Sequence, residues 1–132
     1  MDNNSFTDNN FLERLRKITE DNLKNSQFGV SELAREAGMS RSNLHRRIRK
    51  ETKNSASRFI RQIRLERAME LLRQTSLTVS EVSWEVGFSS TSYFIKCFHE
   101  FFGYPPGEIK NHEDSINDNY EYQKPNLSGR KK

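Results

Sequence analysis

One cysteine, Cys97, stands in a chain of 132 residues. That rules out a disulfide framework and any zinc site built on paired cysteines, and it suits a reducing compartment. Long apolar runs are missing too. Hydrophobic residues make up 33% of the chain and mean hydropathy is -0.95. No stretch reaches the length of a membrane span. The polar start MDNNSFTDNN lacks the apolar middle of a secretion signal. These gaps predict a soluble, cytoplasmic protein with a modest core and no membrane contact by this segment. Also missing are a Ser/His/Asp grouping, paired acids and a glycine-rich phosphate loop, and His45, His99 and His112 form no ligand set. The expectation is no enzyme, no metal and no cofactor.

What is present begins with charge. Lys and Arg number 22 against 18 Asp and Glu, a net of +4. The cations concentrate in the middle: Arg41, Arg46, Arg47, Arg49, Lys50, Lys53, Arg58, Arg61, Arg64 and Arg67 meet only Glu51 and Glu66. A basic centre on a mixed chain fits a polyanion partner. Solvated helix faces are the other reading of such a run.

The basic stretch overlaps a duplication. VSELAREAGMS at residues 30–40 returns as VSEVSWEVGFS at residues 79–89, a constant offset of 49 positions. Each copy leads into a helical segment, NLHRRIRK in the first and SYFIKCFHEFF in the second. The ordered part reads as helices throughout, with no alternating strand pattern. Asp8 or Asn9 can cap a first helix with Phe11, Leu15 and Ile18 inward. Ser31 with Glu32, or Val30 just before, opens a second that buries Leu33, Ala34 and Ala37 and stops at Gly38. Ser40 caps a third, with Leu44 and Ile48 inward. Ser55 or Ser57 starts a long fourth, whose core stripe is Phe59, Ile60, Ile63, Ala68, Met69 and Leu72. Thr78 or Ser80 caps a fifth that packs Val79, Val82 and Val86 and stops at Gly87. A sixth ends at Gly103, and Pro105 or Pro106 can open a last short one. Helical spacing puts Trp84, Phe88, Phe94, Phe98, Phe101 and Phe102 in the core, with Cys97 among them, rather than on a stacking surface for single strands.

A short helix, a glycine turn and a second helix make a helix-turn-helix. The crossing of its helices needs a small residue and the turn needs one that tolerates positive φ. Ala34 and Gly38 fill these places once, Ser83 and Gly87 again. The second helix of each unit must offer polar side chains to a major groove. In the first unit these are Arg41, Ser42, Asn43, His45, Arg46 and Arg49. Arg46 is the leading base reader, since a guanidinium can bond guanine O6 and N7 together. His45 suits a base edge or a phosphate. Arg41, Arg47, Arg49 and Lys50 suit phosphates or solvent. In the second unit the exposed set is Ser90, Thr91, Ser92, Tyr93, Ile95, Lys96 and His99. Lys96 suits a base or a phosphate, Thr91 and Ser92 short hydrogen bonds, and Ile95 a thymine methyl. With Glu81, Glu85 and Glu100 nearby, this unit carries little positive charge. The first unit should then supply most of the electrostatic affinity, and the second register and sequence. Gly87 to Phe94 is one step longer than Gly38 to Leu44, an insertion expected to rotate the second set of readers relative to the first. A fourth helix of roughly 20 residues spans about 30 Å, close to the ~34 Å of one DNA turn. Arg61, Arg64 or Arg67 on it can reach the DNA backbone or simply keep it soluble.

RLERAMELL followed by VSEVSWEVGFSSTSYFIKCFHEFFGYPP resembles the AraC/XylS family of bacterial transcription regulators, over about residues 8 to 110. The resemblance implies a seven-helix, all-α DNA-binding domain with two helix-turn-helix units joined by a long linker helix. It implies base-reading positions at Ser42, His45 and Arg46, and at Thr91, Ser92, Ile95 and Lys96. Three positions depart from the family pattern: Lys53 and Ala56 stand where glycine and proline are common, and Ile109 where an aromatic is common. The corresponding layout is a disordered segment at 1–8, the domain at 9–110 and a disordered polar tail at 111–132. Within the domain the units fall at 30–52 and 79–102, with the linker helix at 56–75. The partners implied are double-stranded DNA, RNA polymerase, and a sensor or dimerisation domain outside this chain. A weaker likeness is to the output end of hybrid two-component sensors. The competing reading is a basic helical module that binds protein or anionic surfaces without sequence specificity.

Overall fold

The computed structural model describes the backbone of residues 3–109 and side chains from residue 10 onward. Its order is α1 (Asn3–Asp21), α2 (Val30–Ala37), α3 (Arg41–Thr52), α4 (Ala56–Gln74), α5 (Val79–Glu85) and α6 (Thr91–Phe102). No strand occurs among the described residues, so the fold is all-α. The stretch expected to open a seventh helix is a 3-10 turn, Pro106–Glu108, which Ile109 leaves in helical conformation. The tail expected at residues 111–132 lies outside the described residues.

Two helix starts differ from expectation. α1 begins at Asn3, so the segment expected to be loose is helical from that residue on, and neither Asp8 nor Asn9 is a cap. No glycine or proline interrupts residues 3–21. Phe11 and Leu15 anchor the helix in the core, and extending a formed helix costs little. α2 is capped by Gly29 rather than Ser31. The Glu32 carboxylate accepts the Gly29 N–H at 2.9 Å, and that bond, with one from its own N–H, lowers the Glu32 pKa. The other caps are side-chain hydroxyls. Ser40 accepts from the Asn43 N–H, Ser55 from Arg58 and Thr78 from Glu81.

The core comes in two clusters. The first joins Phe11 and Leu15 of α1, Leu33, Ala34 and Ala37 of α2, Leu44 and Ile48 of α3, and the α4 residues up to Ile63. The second joins α4 from Leu65 on to Val82, Val86, Phe88, Phe94, Cys97, Phe98 and Ile109. In it Phe88, Phe94 and Phe98 pack in series, edge-on and tilted, with centroids 5.2 and 5.8 Å apart. The break falls at Arg64, a residue the sequence pattern left on the outside of the rod. Its side chain is only 6% exposed.

Trp84 also departs from expectation, being 61% exposed. α5 turns Val82, Ser83 and Val86 inward. Trp84 lies two positions from Val82, about 200° around a helix. Phe101 and Phe102 are half-buried.

Candidate nucleic-acid interface

The two units are built alike. In each, the helix crossing buries the small residue, Ala34 or Ser83. The first helix then closes with a matching pair of backbone bonds. Gly38 N–H reaches Arg35 O while Met39 N–H reaches Ala34 O; Gly87 and Phe88 bond Trp84 O and Ser83 O in the same way. Gly38 at φ 74° and Gly87 at φ 85° supply the left-handed backbone this closure needs.

Beyond this point the second unit carries its extra residue, and the turn absorbs it. The cap shifts together with the ladder: Ser40 is followed four residues later by Leu44 and eight later by Ile48, as Ser90 is by Phe94 and Phe98. All four ladder residues are fully buried. The extra residue thus lies ahead of the helix, and the order of cap, ladder and exposed positions within α6 is that of α3. Arg41, Ser42, His45, Arg46 and Arg49 correspond to Thr91, Ser92, Ile95, Lys96 and His99.

With Leu44 and Ile48 inward, α3 exposes Arg41, Ser42, Asn43, Arg46 and Arg49, and His45 is half-buried. Arg46 donates to Asn43 Oδ1 at 2.7 Å, a charge-assisted bond that limits where the guanidinium points. Arg41 donates to Ser31 Oγ at 3.0 Å and so ties α3 to the start of α2. Arg47, assigned to phosphate or solvent from sequence, lies over the Phe11 ring at 3.8 Å and pairs with Glu51 at 3.5 Å. Its guanidinium holds α3 against α1.

α6 exposes Ser92, Ile95, Lys96 and His99, with Ile95 at 37%. Ser90 accepts the Tyr93 N–H and caps the helix, as Ser40 does in the first unit. Thr91 is half-buried, 3.5 Å from Ser83 Oγ. Lys96 lies 3.8 Å from Glu100, both well exposed, a pair that solvent screens. The Cys97 thiol beside the Tyr93 hydroxyl raises its pKa. Among the described residues no His, Cys, Asp or Glu cluster could hold a metal. Nor is any helix there long and apolar enough to cross a membrane.

Of the three α4 arginines expected near the DNA backbone, Arg61, Arg64 and Arg67, Arg64 cannot reach a nucleic acid. Both its terminal nitrogens are spent on backbone carbonyls: Nη1 donates to Leu23 O and Val86 O, each at 2.6 Å, and Nη2 to Asn25 O and Phe28 O. Burial lowers its pKa. Sequence reasoning missed this role because an arginine between apolar neighbours reads the same whether it faces solvent or carbonyls. Arg61 is half-buried beside a cleft of about 270 Å³. Arg67 is exposed and pairs with Glu70 at 2.7 Å.

Two helix-turn-helix units on one shared helix, each turning a polar helix face outward, define a double helix-turn-helix DNA-binding domain. A family model described as a helix-turn-helix domain matches residues 33–112. The chain belongs to the AraC-type helix-turn-helix family of transcription regulators. It is 39% identical over 107 residues to Histidine kinase P4 of Formosa agariphila, covering 81% of this chain and 8% of the kinase. It is 40% identical over 95 residues to the HTH-type transcriptional regulator GbdR of Pseudomonas aeruginosa, covering 72% of this chain and 26% of GbdR. The chain thus spans a small part of the length of these relatives. Among solved structures it is similar to the DNA-binding domain of AdpA, a global transcriptional factor, in complex with a target DNA. There the TM-score is 0.67 at 25% identity, covering 83% of this chain and 96% of that one.

Proposed function

We propose that the chain reads an asymmetric double-stranded DNA site by placing α3 and α6 in successive major grooves, and so regulates transcription. The observation that carries this reading is the shared cap-and-ladder register. It sets Arg46 and Lys96 at equivalent positions of two reading helices. α4, with 19 residues, spans about 28 Å, close to one turn of DNA. Arg46, steered by Asn43, is the main base reader of the first helix, with Ser42 and His45 beside it; Arg41 and Arg49 meet phosphates. In the second helix Lys96, Ser92 and Ile95 read bases, Thr91 and His99 flank them, and Ser90 keeps its hydroxyl proton for a phosphate.

AdpA, whose DNA-binding domain was solved on a target DNA, supports the duplex as ligand. The kinase relative, of which this chain matches a short part, supports a role as the cytoplasmic output module of a two-component system. A sensor or dimerisation domain then lies outside these residues, and RNA polymerase is the downstream partner. Catalysis is assigned to no residue here. The test is selection of bound sites from a random duplex library. It should return one asymmetric site with two half-sites about one turn apart. Weak binding without sequence preference, unchanged by Arg46→Ala, would overturn the reading in favour of a general basic module.

A further inference from the structure

We propose that Arg64 is a positioning residue: it fixes the phase of α6 relative to α3, and through it the length of the DNA site that the chain accepts. The inference rests on the two-groove reading above. Each unit packs its own core, and the two clusters adjoin along α4 where Ile63 gives way to Leu65. Burial within a core orients helices inside one unit. It does little to set one unit against the other. A single helix shared by two bodies can bend.

Arg64 supplies the missing constraint. Its carbonyl partners belong to both sides. Leu23, Asn25 and Phe28 lie in the connection between α1 and α2, and Val86 ends α5. One nitrogen, Nη1, bonds a carbonyl from each unit. The guanidinium is planar, so holding its two nitrogens on four oxygens fixes distance and angle together. Take the guanidinium away, and the Leu23 and Val86 oxygens face each other without a proton between them. Gly87 marks how close the approach is. A Cβ at this position would overlap Arg64 Nη1 and the Leu23 carbonyl oxygen. Two ion pairs also cross the break: Arg16 of α1 with Glu66 of α4 at 2.9 Å, and Lys24 with Glu85 at 3.6 Å. The first ties α1 to the shared helix rather than to α5 or α6, and the second is exposed and weak for that reason.

The test has two arms on the full chain, wild type against Arg64→Met. The first needs no DNA. Residual dipolar couplings from residues 10–63 and 65–109 should fit one alignment tensor in the wild type and two different tensors in the variant. The second uses the selected site with one base pair added or removed between its halves, a shift of roughly 34°. Wild type should lose more than about tenfold in affinity on each altered site, and the variant less than about threefold. A folded variant that keeps one common tensor, or keeps the wild-type penalty for altered spacing, overturns the proposal. Should Arg64→Met not unfold cooperatively, Arg64→Gln carries the same two criteria, since its amide stands two atoms short of the guanidinium's terminal nitrogens and offers one nitrogen where Arg64 holds four carbonyls with two. If no site is selected at all, the two-groove reading fails while the couplings still judge Arg64.

Discussion

Ser40 and Ser90 cap α3 and α6 in the same way, Leu44 and Phe94 follow four residues later, and Gly38 and Gly87 close the preceding helices at positive φ. Around that frame nearly everything else differs. The first unit has an aliphatic ladder, Leu44 and Ile48, and a basic face. The second has an aromatic ladder, Phe94 and Phe98, and its exposed face carries Lys96 and His99 with Glu100 alongside. The comparison teaches that a cap, a buried ladder, a small crossing residue and a left-handed closure suffice to hold this geometry. The remaining positions are free to take different chemistry.

The cores offer the hardest test of that equivalence. Phe94→Ala should destabilise by about 3–5 kcal/mol and Leu44→Ala by about 2–5 kcal/mol, measured by thermal or urea unfolding. Loss from only one of the two would show that one unit merely rides on the other. The glycines come next. Gly38 has open space around a built Cβ, whereas Gly87 has Arg64 and Leu23 against it. Gly38→Ala should cost about 1 kcal/mol of backbone strain, and Gly87→Ala on the order of 3 kcal/mol. Equal losses would mean that the approach between units is soft.

The reading faces separate by charge. Arg46→Ala should weaken binding to the selected site by about 1–3 kcal/mol. Lys96→Ala should weaken it less, and Arg49→Ala should flatten the salt dependence by about 0.9 in log–log slope. Matching losses and slopes for Arg46→Ala and Lys96→Ala would remove the division of labour. A smaller difference sits at the helix ends. Lys53 and Gly103 are equivalent C-caps, both left-handed, at φ 65° and 92°. Lys53→Gly gives the first unit what the second already has and should add ~1 kcal/mol of stability.

The smallest effect concerns the capping boxes. Because hydrogen bonds lower the Glu32 pKa, its contribution is present in full above the ordinary glutamate range and is lost as the pH falls through the lowered value. The Tm gap between wild type and Glu32→Gln should therefore be open at neutral pH and close on acidification.

Much of this was readable in the chain before any coordinates. Ser40 is a hydroxyl cap before a helical pattern, and the ladder residues recur at i and i+4, so local chemistry located them; for α4 and α5 it offered Ser55 or Ser57 and Thr78 or Ser80, and packing decides for Ser55 and Thr78. The resemblance in residues 79–106 carried the family. Trp84 was misread because its hydrophobicity outweighed its position; its counterpart in the first copy, Arg35, is a charged and exposed residue and marked the outer face. Gly29 offers no side chain to signal a cap. Arg64 depends on carbonyls from segments 22 to 41 positions away, which no local pattern encodes. For the reading faces, the sequence offered side-chain types and the ladder offered their orientation, but the Asn43–Arg46 bond and the Arg47–Phe11 contact needed the packed helices.

The unlike faces of α3 and α6 give the bound chain a heading. No twofold axis relates its two contacts, so turning the site end for end along the duplex also turns the chain. Whatever is attached to the protein then faces upstream in one case and downstream in the other, and one sequence placed in two orientations beside the same gene becomes two different signals.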